Sequence, residues 1–307
     1  MPHRILVTGA DGFVGTHLIP VLARAFPESV VLPSRFNVTD YAAMRAAIEA
    51  DPPDACIHLA AIAAIPAAQQ DPDAAWRVNL HGTLALARAL MAAAPDCILV
   101  FPSTADAYGR SFQSGAPATE TTTLAPMNTY SATKAAADLA LGAMAGEGLR
   151  VIRVRPFNHT GPGQSAAFVV AAFARQVARV EAGLQAPVLQ VGALDPLRDF
   201  LDVRDVCAAY ALCLARAKDL PAAAILNIAS GVPRRIGDVL ADLQTIAGTA
   251  AVVQTDIARL RPSEIPIAIG DAAAARTMLG WAPQIAWERT LTDTFNDWRV
   301  RVLAESN

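Results

Sequence analysis

The sequence predicts an α/β fold in which a doubly wound parallel sheet carries a smaller, interleaved lobe. Three observations lead there. Short apolar runs alternate with longer amphipathic segments through the first half of the chain, as strands buried on both faces do when helices cross over them. The first run opens into Thr8-Gly9-Ala10-Asp11-Gly12-Phe13-Val14-Gly15, a glycine-rich strand-to-helix turn. Further on, Tyr130 and Lys134 stand one turn apart on the same face of a helix.

Composition sets the bounds. With 307 residues, 53% of them hydrophobic, and a formal net charge of −3, the chain can bury a large core and has no electrostatic case for nucleic acid. No apolar stretch reaches the roughly 18 residues a membrane span needs. Met1-Pro2-His3-Arg4 runs straight into a strand rather than a signal-peptide core, so a cytoplasmic protein is expected. Cys56, Cys97, Cys207 and Cys213 lie scattered in apolar segments without ligand spacing and read as reduced core residues.

Residues 4–8 form the first buried strand, and an apolar helix follows to about Phe26. Gly9 suits the tight turn, Gly12 the close approach of backbone amides to a pyrophosphate, and Gly15 the packing of helix on strand. With Asp11, Phe13 and Val14 they make the expected core of a Rossmann-type dinucleotide site, although the spacing is G-x-x-G-x-x-G. Residues 29–32 read as the second strand. It runs into Pro33-Ser34-Arg35, where an NAD-selective site would place an acid on the ribose 2′-hydroxyl. Arg35 favours a 2′-phosphate instead, so NADP(H) is expected over NAD(H). Asn37 and Val38 are expected at the adenine, with Asp40 capping a helix over 41–50. Residues 55–61 form the third strand, whose end, Leu59-Ala60-Ala61, lets a cofactor lie against the backbone. His58 reads as a core histidine. A helix over 76–91 carries Asn79, expected to bond backbone below the nicotinamide.

Residues 97–102 are another strand, and Ser103-Thr104-Ala105-Asp106-Ala107-Tyr108-Gly109 emerges from its carboxyl end, where such sheets bind ligands. Lys134 should stabilise the phenolate of Tyr130 and draw its pKa down from about 10 toward working pH. A strand over 151–155 leads into Pro156-Phe157-Asn158-His159-Thr160-Gly161-Pro162-Gly163-Gln164. A helix over 208–217, a strand over 224–229 and a closing helix from Trp287 to about Val302 follow, with Trp281, Trp287 and Trp298 as core. The expected division is a dinucleotide domain of 1–156 and 201–230, a substrate lobe of 157–200 and 231–290, and a C-terminal helix at 291–307.

The glycine loop, His58-Leu59-Ala60-Ala61, Ser103-Thr104 ahead of Tyr108-Gly109, and Tyr130 with Lys134 resemble the extended short-chain dehydrogenase/reductases that act on nucleotide sugars. The resemblance spans nearly the whole chain. It implies that Thr104 and Tyr130 hold the sugar oxygen being oxidised or reduced, that Lys134 also reaches the nicotinamide ribose, and that Pro156 lies at the cofactor. Residues 155–170, Arg175-Gln176 and 197–206 are similar to one branch of that family, the GDP-6-deoxy-D-mannose reductases. That likeness implies reduction of a GDP-linked 4-keto-6-deoxy sugar by a homodimer. Asn158 and Arg198 would meet the substrate or its phosphates, while Arg261 and Glu264 would hold the far end of the nucleotide. Asn158 also reads as a simple turn residue, and Arg198 as an ion pair with Asp199 or Asp202.

Three other readings stay open. Asp106 occupies the place where GDP-mannose 4,6-dehydratases carry a glutamate, although it is one methylene shorter. A nucleotide-sugar 4-epimerase would use the same apparatus. A cofactor-sensing regulatory protein is the non-enzymatic reading, and the joint presence of Thr104, Tyr130 and Lys134 speaks against it.

Overall fold

The computed structural model describes residues 2–259 and 265–305; Arg261 and Glu264, the expected distal anchors, lie outside the described residues. Strand β1 (Arg4–Thr8) leads through the glycine turn into α1 (Phe13–Ala25). β2 (Val30–Pro33) pairs with β1 with Leu6 opposite Leu32. Asp40 caps α2 (Tyr41–Ala50) by accepting from Ala43 N at 3.0 Å, as its position in the sequence predicts. β3 (Ala55–His58) then returns on the opposite side of β1.

The expected helix over 76–91 forms as part of a longer helical run that a π turn widens. After α3 (Ile65–Gln70), the chain forms α4 (Pro72–Trp76), a π turn over Arg77–Gly82, and α5 (Thr83–Ala93). The wider turn lets the Asn79 side chain reach across to the loop after β3. β4 (Ile98–Pro102), a 3₁₀ stretch over Ala105–Ser114, α6 (Thr129–Met144) and β5 (Val151–Pro156) continue the alternation. Asn128 and Ser131 form a reciprocal capping box that fixes the first turn of α6, where Tyr130 stands.

Beyond β5 come β6 (Asn158–Thr160), α7 (Val169–Glu181), β7 (Val188–Val191) and β8 (Leu197–Asp202). The chain rejoins the sheet through α8 (Val203–Ala215) and β9 (Ile225–Ile228). It then runs through β10 (Pro233–Arg235), α9 (Ile236–Ala247), β11 (Val252–Thr255), β12 (Ile267–Ala268), α10 (Ala273–Leu279) and α11 (Trp287–Ala304).

The six-stranded sheet is parallel throughout, in the order β2-β1-β3-β4-β5-β9. Strand order reverses at β1 and β3, which opens a crevice at their carboxyl ends. One face of the sheet packs on α1 and α8 through Leu18, Leu22, Val206 and Tyr210. The other packs on α2, α5 and α6 through Met44, Ile48, Leu90 and Leu141. A separate core joins Phe173 and Val177 of α7, Leu240 and Leu243 of α9, and Leu291, Phe295 and Trp298 of α11.

The last segments divide between these cores. The closing helix starts at Trp287, as expected, and its buried face completes the core formed with α7 and α9. Residues 272–281 belong with the sheet: Ala275, Leu279 and Trp281 share a core with Leu226 and Ile228, and the Trp281 indole donates to Asp205 O at 3.0 Å. The sheet's edge strand β9 needs that cover. All four cysteines are free and buried. Among the described residues, no helix is long and apolar enough to cross a membrane, and no group of three His, Cys, Asp or Glu side chains could hold a metal ion.

Candidate active site

The glycine turn is pressed against the end of β3. Gly9 sits at φ +68°, and a Cβ there would come within 2.7 Å of Ala60 N. At Gly15 a Cβ would overlap the carbonyl of Ala10, so side chains are excluded at both positions. A crevice of about 300 Å³ lies above, lined by Gly9, Asp11, Gly12, Asn37, Val38 and Ala60, all expected, and by Ala10, Ser34, Phe36 and Val78. Val78 reaches the crevice from within the π turn, a place that apolar periodicity does not announce. Phe13, Val14 and Leu59 pack behind this lining, and Pro156 is buried at the end of β5. Ala61 is half-buried just past β3. Arg35 is exposed between two residues that line the crevice.

Asn79 bonds backbone as expected, at Ile62 in the loop after β3. It is buried, its Oδ1 accepts from Ile62 N at 2.8 Å, and its Nδ2 donates to Ile62 O and to Thr133 Oγ1 at 3.1 and 3.0 Å. With both ends of its amide engaged, it ties that loop to α6. His58 is a core histidine, as expected. Thr83 Oγ1 donates to Asn79 O, so His58 Nε2 must donate to Thr83, and Nδ1 must accept from Thr8. Burial holds this neutral ring well down, to about 3.

Thr104, Tyr130 and Lys134 come together at the carboxyl end of β4. Thr104 accepts from Asp106 N at 3.2 Å, and its hydroxyl is near enough to that of Tyr130 to lower the phenol pKa. Lys134 is 5% exposed, with its ammonium 4.2 Å from the centre of the Phe101 ring. The expected depression of the tyrosine pKa is not found. Burial pushes the phenol up, the charge of Asp106 adds to this, and the Thr104 hydrogen bond only partly offsets it. Burial also lowers Lys134 to about 7, against Asp138, which raises it. A lysine that is itself desolvated is a weaker source of positive potential.

Asp138, one turn beyond Lys134, is a residue that the sequence reading missed. Fully buried, it receives Arg155 through both oxygens at 2.9 and 3.1 Å, and Arg153 at 3.2 Å. The signal was two arginines in an otherwise apolar strand, which demand an acid. Tyr108 belongs to the same network: it donates to Asn227 at 2.7 Å and accepts from Arg155 at 3.1 Å. Gly109, at φ +49°, has no room for a Cβ against the Ala125 carbonyl.

On the substrate side, Asp106 and Arg198 are close enough to shift one another. Burial raises the Asp106 carboxyl and Arg198 opposes that rise. Arg198 does not pair with Asp199, which caps the turn at Ser230-Gly231, or with Asp202, which receives Arg204 and Thr290. Arg198 donates to Leu197 O and Ile265 O at 2.8 and 3.1 Å. Asn158 is exposed at the start of β6, so it is a strand residue rather than a turn residue.

The chain is 38% identical to a GDP-6-deoxy-D-mannose reductase from Pseudomonas aeruginosa, covering 99% of this chain and 100% of that one. A solved structure of RMD from Pseudomonas aeruginosa complexed with NADPH superposes with a TM-score of 0.90 at 37% identity, covering 98% of this chain and 100% of the other. A GDP-6-deoxy-D-talose 4-dehydrogenase from Aggregatibacter actinomycetemcomitans is 28% identical over 90% of this chain and 91% of its own. Residues 5–229, from β1 through β9, match a single family description. By that match and by its identity to a full-length relative, the chain belongs to the NAD dependent epimerase/dehydratase family.

Proposed function

We propose that this protein is an NAD(P)H-dependent oxidoreductase that reduces the 4-keto group of a GDP-linked 4-keto-6-deoxy-hexose, giving GDP-D-rhamnose or its C4 epimer. The carrying observation is the hydroxyl pair Thr104 and Tyr130 beside buried Lys134, in a chain similar end to end to a GDP-6-deoxy-D-mannose reductase. The crevice fits a dinucleotide, since backbone approach at Gly9 and Gly12 is unhindered by side chains and α1 begins where a pyrophosphate would lie. When bound, the reduced nicotinamide supplies the hydride to C4. Tyr130 gives its proton to the developing alkoxide, and a phenol held protonated by burial is a suitable donor to so basic an oxygen. Thr104 donates to the same oxygen, and Lys134 assists charge development on the tyrosine. Asn158 and Arg198 anchor the GDP end, with Arg261 and Glu264 beyond them.

Arg35, beside the crevice wall, favours NADPH over NADH; equal kcat/KM for the two would remove that part of the proposal. The expected homodimer and cytoplasmic location are tested by light scattering and fractionation. The decisive experiment supplies GDP-4-keto-6-deoxymannose and NADPH, follows nicotinamide absorbance and identifies the sugar product. A reductase needs no base at C5, so Asp106→Asn should keep substantial activity. If the wild type instead converts GDP-mannose to the 4-keto-6-deoxy product with NADP⁺ alone, and Asp106→Asn does not, the dehydratase reading takes its place.

A further inference from the structure

The loop over 158–164 is gripped from two directions. On the sheet side, the ring of His159 lies parallel to that of Phe13, with centroids 6.2 Å apart and planes 6° apart. Phe13 in turn meets His17 edge-on at 5.6 Å, and His17 Nε2 donates to Pro162 O at 2.8 Å. Gly161 closes this contact, because a Cβ there would sit 2.7 Å from Val203 Cγ1. From the lobe, Asp297 accepts from Gly163 N at 2.9 Å and Arg301 donates to Gln164 O at 3.0 Å.

The sequence positions of the two stacked rings matter. Phe13 is the first residue of α1 and follows Gly12 directly, so any dinucleotide seated on the helix N-terminus restrains its backbone and ring. His159 follows Asn158, and its Nδ1 donates to Phe157 O at 3.0 Å, which holds the imidazole across the start of β6. A restraint at one end of this chain of contacts is therefore felt at the other.

We infer that the Phe13–His159 stack couples the cofactor site to the nucleotide-sugar site, with His159 as a positioning residue that makes each ligand tighten the other. This rests on the functional reading above for the identity of the two ligands. A dinucleotide that fixes Phe13 removes part of the ordering cost of docking the 158–164 loop, and GDP held at Asn158 does the same in reverse. By linkage the two effects are equal.

The test is calorimetric, with GDP titrated into the full-length protein with and without saturating NADPH, and NADPH titrated with and without GDP. The wild type should show the same ratio of affinities in both arrangements, on the order of 5-fold or more. His159→Ala should bring that ratio to about one, whereas His159→Phe, which keeps a ring face against Phe13, should retain most of it. Phe13→Leu removes the stack from the other side and carries the same expectation as His159→Ala, so a folding failure of one variant leaves the test standing. A wild-type ratio of one, or an undiminished ratio in the alanine variant, overturns the coupling and leaves the reductase reading intact. If neither GDP nor NADPH binds, the functional reading itself falls, and the coupling with it.

Discussion

At Tyr130, burial and the charge of Asp106 act together to keep the proton in place, while Lys134 loses part of its own hold on charge. Tyr130→Phe should abolish turnover, a loss on the order of 10²–10⁴-fold for a missing general acid, with GDP and NADPH affinities nearly unchanged. Stopped-flow rates beside binding isotherms separate these outcomes, and a wild-type rate would remove Tyr130 from its role. Lys134 sets a pH limit. Its pKa lies near about 7 instead of 10.5, so kcat/KM for the free enzyme should fall as pH rises through that value and the ammonium becomes an amine. Lys134→Arg, which cannot deprotonate, should flatten that limb of the profile even if its rate is lower. The spacing of Tyr130 and Lys134 was legible because helical periodicity is local. Their ionisation was not, since it depends on what the distant Asp106 and Asp138 bring to the enclosure.

Helix α6 has both a chemical end and a structural end. The capping box at Asn128 sets the turn that carries Tyr130, and Asp138 two turns later clamps the helix to β5 through Arg153 and Arg155. Asp138→Ala would leave two cations buried without their acid, a loss of about 3–5 kcal/mol. Chemical denaturation measures it, and a change below about 1 kcal/mol would show that the arginines find other partners. Strands and caps at this scale could be read from apolar runs and from Asp40 or Asn128. The π turn at Arg77–Gly82 could not, because the Asn79–Ile62 bonds that accompany it join residues that no local pattern connects.

Across the whole molecule, His58 ties β1, β3 and α5 together as a neutral ring with a pKa near about 3. The unfolded chain, with an ordinary histidine near 6.5, binds the extra proton first. Stability is therefore fully present above about pH 6.5 and declines as pH falls toward 3, at roughly 1.4 kcal/mol per pH unit from this group. Guanidinium titrations at about pH 7 and about pH 5 should differ by on the order of 2 kcal/mol from this source, and His58→Gln, which cannot charge, should narrow the gap. The alternation of strands and helices that builds the sheet was legible up to β5, where it is regular. After that the chain crosses between bodies, and hydrophobicity alone could not say that 272–281 covers β9 while α11 completes the lobe. The order of synthesis gives that crossing a consequence. A nascent chain on the ribosome can finish its sheet once α10 has emerged, yet α7 and α9 then still lack α11. Their apolar faces, including Phe173, Val177 and Leu243, stay open until translation delivers Leu291, Phe295 and Trp298. During that interval the half-made lobe is a natural client for a chaperone.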